Sequence, residues 1–292
     1  MTRPRLAGLL AMELLVLGLA GCHRRAEPPL PPAAPHYVVG APYKMGGVWR
    51  YPQEDFAYQA TGLAVADADR TPFVTTDGEH YDAGAMTASH ATLQLPAIVT
   101  VRNLENGREI TVRVNDRGPV SPGRLIGLTP RAAALLGIGT APARVAVTGL
   151  EVQNEQLAES LPGGQHLDVS AAPVGQVRAE SLDGTGGGTI VAAPSGVAGA
   201  ADIAPLMGSL PPAVRQGYVE GGLLFVEVGT FSTLRYAEIA AARTGGRVVP
   251  VRARGRAMWR VHVGPFTNVQ AADQGLDQVM GAGVTGARIV VE

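Results

Sequence analysis

A carboxylate, an imidazole and a second carboxylate stand within one stretch of this chain: Glu79 in DGEHYD, His90 in TASHATLQLP and Asp116 in NDRGP. These side-chain types can give and take protons near neutral pH. Two carboxylates held close together push one pKa upward, so that an acid stays protonated and can assist bond cleavage. Each residue also has a plainer reading. A strand-end Asp commonly closes a turn or pairs with a neighbour such as Arg117, a loop His is satisfied by local hydrogen bonds, and a Glu after Asp77-Gly78 is a solvated turn residue. Taken one at a time, none of the three is evidence of chemistry.

The elements that must position them are legible around the hairpin between His90 and Asp116. Residues 98–104 and 109–114 alternate apolar with polar side chains, and Asn106-Gly107 between them offers the positive-φ pair of a tight hairpin turn. Asn115-Asp116-Arg117-Gly118-Pro119 then ends the second strand, because Gly and Pro interrupt a ladder and Asn and Asp bond to nearby backbone. Asp116 is therefore expected at a rigid strand end.

Together these segments resemble a family. YKMGGVWRYPQEDFAYQATGLA, DGEHYDAGAMTASHATLQLP, VTVRNLENGREITVRVNDRGP and GRLIGLTPRAAALLG occur in the order and spacing of the rare lipoprotein A (RlpA) family of septal lytic transglycosylases. The resemblance implies a double-psi β-barrel over residues 37–150, with Glu79, His90 and Asp116 on the family's functional Glu, His and Asp. It also implies cleavage of peptidoglycan glycan strands that lack stem peptides, with a 1,6-anhydro product and without cofactor or metal. Asp116 would be the acid, Glu79 would assist by electrostatics or proton transfer, and His90 would orient a carboxylate. The chain departs from the family pattern twice. Ala64-Val65-Ala66-Asp67-Ala68 stands where the family reads ASWYG, and Ile126-Gly127-Leu128-Thr129 stands where it reads IDLS, so no carboxylate occupies position 127.

The flanking sequence sets a location. Arg3 and Arg5 precede an apolar run from Leu6 to Ala20, and Leu19-Ala20-Gly21-Cys22 matches a bacterial lipobox, so residues 1–22 read as a lipoprotein signal with Cys22 as the acylated residue. Several acyl chains on one residue anchor a protein stably. His23 rather than Asp follows the cysteine, which favours the outer membrane of a Gram-negative cell. Cys22 is the single cysteine, excluding internal disulfides and cysteine metal clusters. The Pro-rich residues 23–36 form a spacer, and residues 151–219, rich in Gly, Ala, Ser and Pro, read as flexible linker.

Residues 220–292 carry an internal repeat. Val226-Glu227-Val228-Gly229-Thr230-Phe231-Ser232 recurs as Val261-His262-Val263-Gly264-Pro265-Phe266-Thr267, each copy leading into a helical pattern, at 233–243 and 269–280, with Ser232 and Asn268 as caps. Strands at 248–253 and 287–291 complete a ferredoxin-like order. The repeat resembles the SPOR family, which binds stem-peptide-free glycan at the division septum. That resemblance implies glycan contact at Val228, Phe231, Val263 and Phe266, septal enrichment and division-site protein partners.

A net charge of −1 argues against bulk attraction to nucleic acid or acidic lipid, and no aromatic stripe supports nucleic-acid binding. No GxxxxGK[ST], HExxH or GxSxG pattern occurs. The expected fold is a double-psi β-barrel, a linker and a ferredoxin-like SPOR domain. The expected activity is lytic transglycosylase. The departures at 64–68 and 127 leave a rival: a non-catalytic lipoprotein that tethers the outer membrane to septal glycan.

Overall fold

The computed structural model describes residues 29–67, 71–165, 202–253 and 255–292. Cys22, the signal segment, most of the 151–219 stretch and Arg254 lie outside the described residues. A short antiparallel pair, β1 (Tyr43–Met45) and β2 (Val48–Arg50), leads into the strands of the barrel. These are β3 (Gln59–Ala66), β4 (Thr87–His90), β5 (Ala97–Asn103), β6 (Arg108–Asp116), β7 (Ile126–Leu128) and β8 (Ala143–Gly149). Hydrogen bonding runs β4-β7-β3-β8-β5-β6, and β6 returns to β4, so the sheet closes into a six-stranded barrel. Two of the pairings, β3 with β7 and β4 with β6, are parallel. The inward side chains of β5 and β6, including Val99, Val101, Ile110, Val112 and Val114, fill the barrel and are almost wholly buried.

The 98–114 hairpin forms as its alternation predicts, but its turn is longer than two residues. The ladder closes at Arg102 and Glu109, and only then does the chain turn, with Gly107 at φ 74° and its N–H donating to the Asn103 carbonyl. The side chains explain the extra length. Asn103 is buried and donates to the Leu136 carbonyl, while Leu104 is drawn into the C-terminal core.

Helix α1 (Pro130–Leu136) follows β7, with Thr129 accepting from the Ala132 N–H at its start and Gly137 at φ 71° closing it. The stretch expected to be linker is structured at both ends. Helix α2 (Glu151–Ser160) buries Leu157, and its Asn154 side chain accepts from the Ile98 N–H at 2.6 Å and donates to the Phe56 carbonyl at 3.0 Å. After residue 201, a single turn, α3 (Ala204–Met207), and β9 (Arg215–Gln216) return to the barrel wall, where β9 pairs with β6 and Leu210 is buried. Composition misled here because small residues and prolines are compatible with a chain laid over an existing surface.

The C-terminal sheet contains β10 (Leu224–Phe231), β11 (Arg247–Ala253), β12 (Arg256–Phe266) and β13 (Arg288–Val291), ordered β11-β12-β10-β13 and antiparallel throughout. Helices α4 (Leu234–Thr244) and α5 (Val269–Gly281) cover one face. Asn268 caps α5 through the Ala271 N–H, as expected. Ser232 does not cap α4, whose cap residue is Thr233 with no side-chain bond.

Pro32–Glu292 forms one unit, and the barrel and C-terminal sheet are joined within it. Thr61 Oγ1 donates to the Val291 carbonyl at 2.7 Å, Leu63 belongs to the C-terminal core, and Arg124 grips Asp273 through two bonds of 2.7 and 2.9 Å.

Candidate active site

Asp116 ends β6 at the rim of a small, partly open cleft. Thr76 fixes it, its backbone N–H donating to Oδ1 at 3.0 Å and its hydroxyl donating to the same oxygen at 2.6 Å. Arg117 is not the partner of Asp116, because its guanidinium donates to the backbone carbonyls of Leu93 and Val39. The cleft is also lined by Asp67, Ser89, Asn115, and the rings of Phe73 and Tyr81, which stack at 5.1 Å and 15°. That aromatic pair offers a flat apolar wall. It comes from the loop before β4, although the sequence lacks the Trp and Tyr expected near residue 66.

Glu79 does not line the cleft. It lies behind it, buried, where Arg113 holds both its oxygens (Nε to Oε1 at 2.9 Å, Nη2 to Oε2 at 3.0 Å) and Asn115 donates to Oε2 at 2.7 Å. Paired in this way, Glu79 anchors Asn115, the chain neighbour of Asp116. The carboxyl that is pushed upward is another one. Burial raises Asp77 to about 7, the neighbouring Glu79 charge adds to the rise, and the Thr75 hydroxyl, the Glu79 N–H and Arg113 oppose it. Asp77 Oδ1 accepts from Thr75 and Glu79, while the buried Oδ2 has no hydrogen-bond partner. The carboxylate charge that Glu79 brings to bear falls on Asp77 and not on Asp116, and it adds to the larger effect of burial. In the sequence Asp77 reads only as part of an Asp-Gly turn.

His90 orients no carboxylate. Its Nδ1 accepts from the N–H groups of Thr92 (3.2 Å) and Leu93 (3.1 Å), which places the ring proton on Nε2, 3.1 Å from the Tyr58 hydroxyl. Burial, followed by the positive fields of Arg117, Arg288 and Arg50, pushes its pKa down to about 3, so the ring is neutral. The expectation failed because β4 is buried on both faces: Ser89 turns to the cleft, and His90, next along the strand, turns away.

Val228, Phe231, Val263 and Phe266 point into the domain core rather than toward the opposite face of the C-terminal sheet. They pack into or against the cluster beneath α4 and α5, because the repeated apolar positions supply the domain core. The opposite face carries Phe225 stacked on His262 at 4.7 Å, and a charged row in which Arg288 and Arg260 meet Glu227 and Arg260 meets Glu292. Among the described residues no group of three or more His, Cys, Asp or Glu is placed to hold a metal ion.

Comparison with known proteins agrees with this architecture. Residues 61–147 match the lytic transglycolase family and residues 220–289 match the SPOR domain family. The endolytic peptidoglycan transglycosylase RlpA of Pseudomonas aeruginosa is 44% identical over 119 residues, covering 39% of this chain and 34% of the relative. The proteins of that name from Yersinia pestis and Campylobacter jejuni are 43% identical over 115 residues and 46% identical over 83 residues. They cover 39% and 27% of this chain and 31% and 30% of the relatives. The chain thus spans about a third of the length of these relatives. A solved SPOR domain of RlpA from Pseudomonas aeruginosa is matched over 23% of this chain and 96% of its own length, at 20% identity and a TM-score of 0.22. A barrel that matches the one family and a C-terminal sheet that matches the other stand here in a single chain, and together they support an RlpA family protein.

Proposed function

We propose that the barrel is an endolytic transglycosylase that cleaves peptidoglycan strands stripped of stem peptides. The observation that carries this reading is the cleft itself: a carboxyl at a strand end, its Oδ1 fixed by two bonds from Thr76, beside a stacked aromatic pair able to lie against a sugar face. The names of the relatives support it. In the reaction Asp116 delivers a proton to the glycosidic oxygen while positive charge grows on the muramic ring, and the ring's own 6-hydroxyl closes on the anomeric carbon. Glu79 and His90 are positioning residues. The first, paired with Arg113, accepts directly from Asn115, and the second holds Tyr58 and the 92–93 backbone.

The C-terminal sheet would bind the same denuded glycan, concentrating the enzyme at the septum with division-site proteins. Cys22 would anchor the mature chain to the outer membrane. A Cys22→Ser chain should lose acyl labelling and become soluble in the periplasm.

Mass spectrometry of amidase-stripped glycan incubated with the full chain tests the activity. Anhydro-muramic ends are expected. Tight glycan binding without such ends would leave the tethering role in its place.

A further inference from the structure

Two aspartates line the cleft, and the reaction as written uses one. Asp67 directly follows β3, and its N–H donates to the Leu128 carbonyl at 2.7 Å, tying the exit of β3 to the end of β7. Its carboxylate lies over Gly127. A Cβ added at Gly127 would stand 2.7 Å from Asp67 Oδ1 and closer still to Ser89 Oγ, well inside van der Waals contact. The bare backbone at 127 is what leaves room for that carboxylate. Strand register gives the arrangement across the wall: Ser89 pairs with Asp116 on one side and with Gly127 on the other, and Gly127 pairs with Val65 of β3. Asp116 and Asp67 therefore stand at opposite walls of the cleft, with Ser89 and Gly127 between them.

We infer that Asp67 is a second catalytic residue, the base that complements Asp116. The inference rests on the transglycosylase reading. Two protons move in that reaction. As the bond between the anomeric carbon and the glycosidic oxygen breaks, the oxygen keeps the electron pair and takes the proton of Asp116. As the 6-hydroxyl oxygen bonds to the same carbon, its proton passes to Asp67. The anhydro ring and the free hydroxyl end are the products, no water is consumed, and solvent exchange returns both carboxyls to their starting states. Groups on opposite walls can meet the leaving oxygen and the attacking hydroxyl at the same time, which one carboxyl cannot do without turning over between steps.

The test uses the full chain on amidase-stripped glycan, with anhydro-ended products counted by mass spectrometry. Asp67→Asn is expected to lower the rate by about 10² to 10⁴-fold, with glycan pelleting and thermal midpoint unchanged and the low-pH limb of the residual kcat/KM profile flattened. Asp67→Glu should recover part of the rate. Gly127→Ala, which keeps both aspartates but crowds the Asp67 carboxylate, should also lose activity. An active wild type with Asp67→Asn within about threefold of it overturns the role of Asp67 and leaves the transglycosylase reading intact. If Asp67→Asn fails to fold, full activity in Gly127→Ala overturns it instead. A wild type that yields no anhydro ends overturns both.

Discussion

Thr76 donates to Asp116 twice, through its N–H and its hydroxyl, to one and the same carboxylate oxygen. The pair joins the loop before β4 to the end of β6, so the aim of the carboxyl depends on a residue outside the strand that carries it. Thr76→Val should remove the hydroxyl bond, costing about 1 kcal/mol of stability or less because the site is exposed, and should lower kcat by about tenfold or more as Asp116 turns. Thr76→Ser should keep the wild-type rate. Cleavage rates and thermal midpoints of the two variants separate positioning from folding, and equal rates in both would remove Thr76 from the mechanism.

Asp116→Asn should abolish nearly all cleavage while preserving the fold, since the amide has the same shape but no acidic proton; the expected loss is about 10² to 10⁴-fold. Rates from single-turnover digestion check this.

Asp77 and His90 give stability two opposing pH dependences. The folded Asp77 carboxyl is raised from 3.8 to about 7, so its contribution is fully present below pH 3.8 and is lost as pH rises toward 7. The folded His90 is lowered from 6.5 to about 3, so its contribution is present above pH 6.5 and is lost as pH falls toward 3. Between about pH 4 and 6.5 the two slopes, each at most about 1.4 kcal/mol per pH unit, oppose one another. Asp77→Asn should therefore show stability rising with pH across that window, and His90→Gln should show it falling. Urea midpoints at half-unit pH steps read this directly, and three parallel profiles would contradict it.

Leu157→Ala should cost about 2–5 kcal/mol, and Asn154→Ala should cost about 1–3 kcal/mol by stripping the Ile98 N–H of its buried acceptor. If residues 151–160 were linker, neither substitution would move the denaturation midpoint.

Glycan binding by the C-terminal sheet should follow the charged face that carries Arg260, which shares a cleft with β3 and β8 of the barrel. Arg260→Ala should weaken pelleting with stripped sacculi while the domain stays folded, whereas Val228→Ala should lower stability with little direct effect on binding by the folded fraction. The reverse pattern would return the contact to the repeated apolar positions.

The hairpin and the C-terminal repeat were legible because period-two alternation and a duplicated segment survive in the sequence without knowledge of any contact, whereas the barrel was expected only through the family resemblance. The site was legible only in part. Asp116 could be placed at a strand end from the Gly-Pro that follows it. Which way His90 points depends on its register within a strand buried on both faces, and which partner Glu79 takes depends on Arg113 across the barrel. The two departures from the family pattern, at 64–68 and at 127, read as separate losses along the chain. In three dimensions they meet, because β3 and β7 are parallel neighbours and Asp67 lies over Gly127. A side chain added at 127 would displace that carboxylate, so Gly127→Asp is expected to impair the cleft rather than repair it.

Arg113 holds Glu79 with one side of its guanidinium, and with Nη1 it donates to the carbonyls of Leu206 and Gly208 at 2.8 Å each. The strap that leads to the C-terminal sheet is thus latched to the group that steadies the floor of the cleft. A barrel trimmed at Gln165 would lose both carbonyls, the β9 rung on β6 and the buried Leu210. The strap is thereby part of the barrel's own support, and its loss would be felt at Arg113 and, through Glu79, at Asn115.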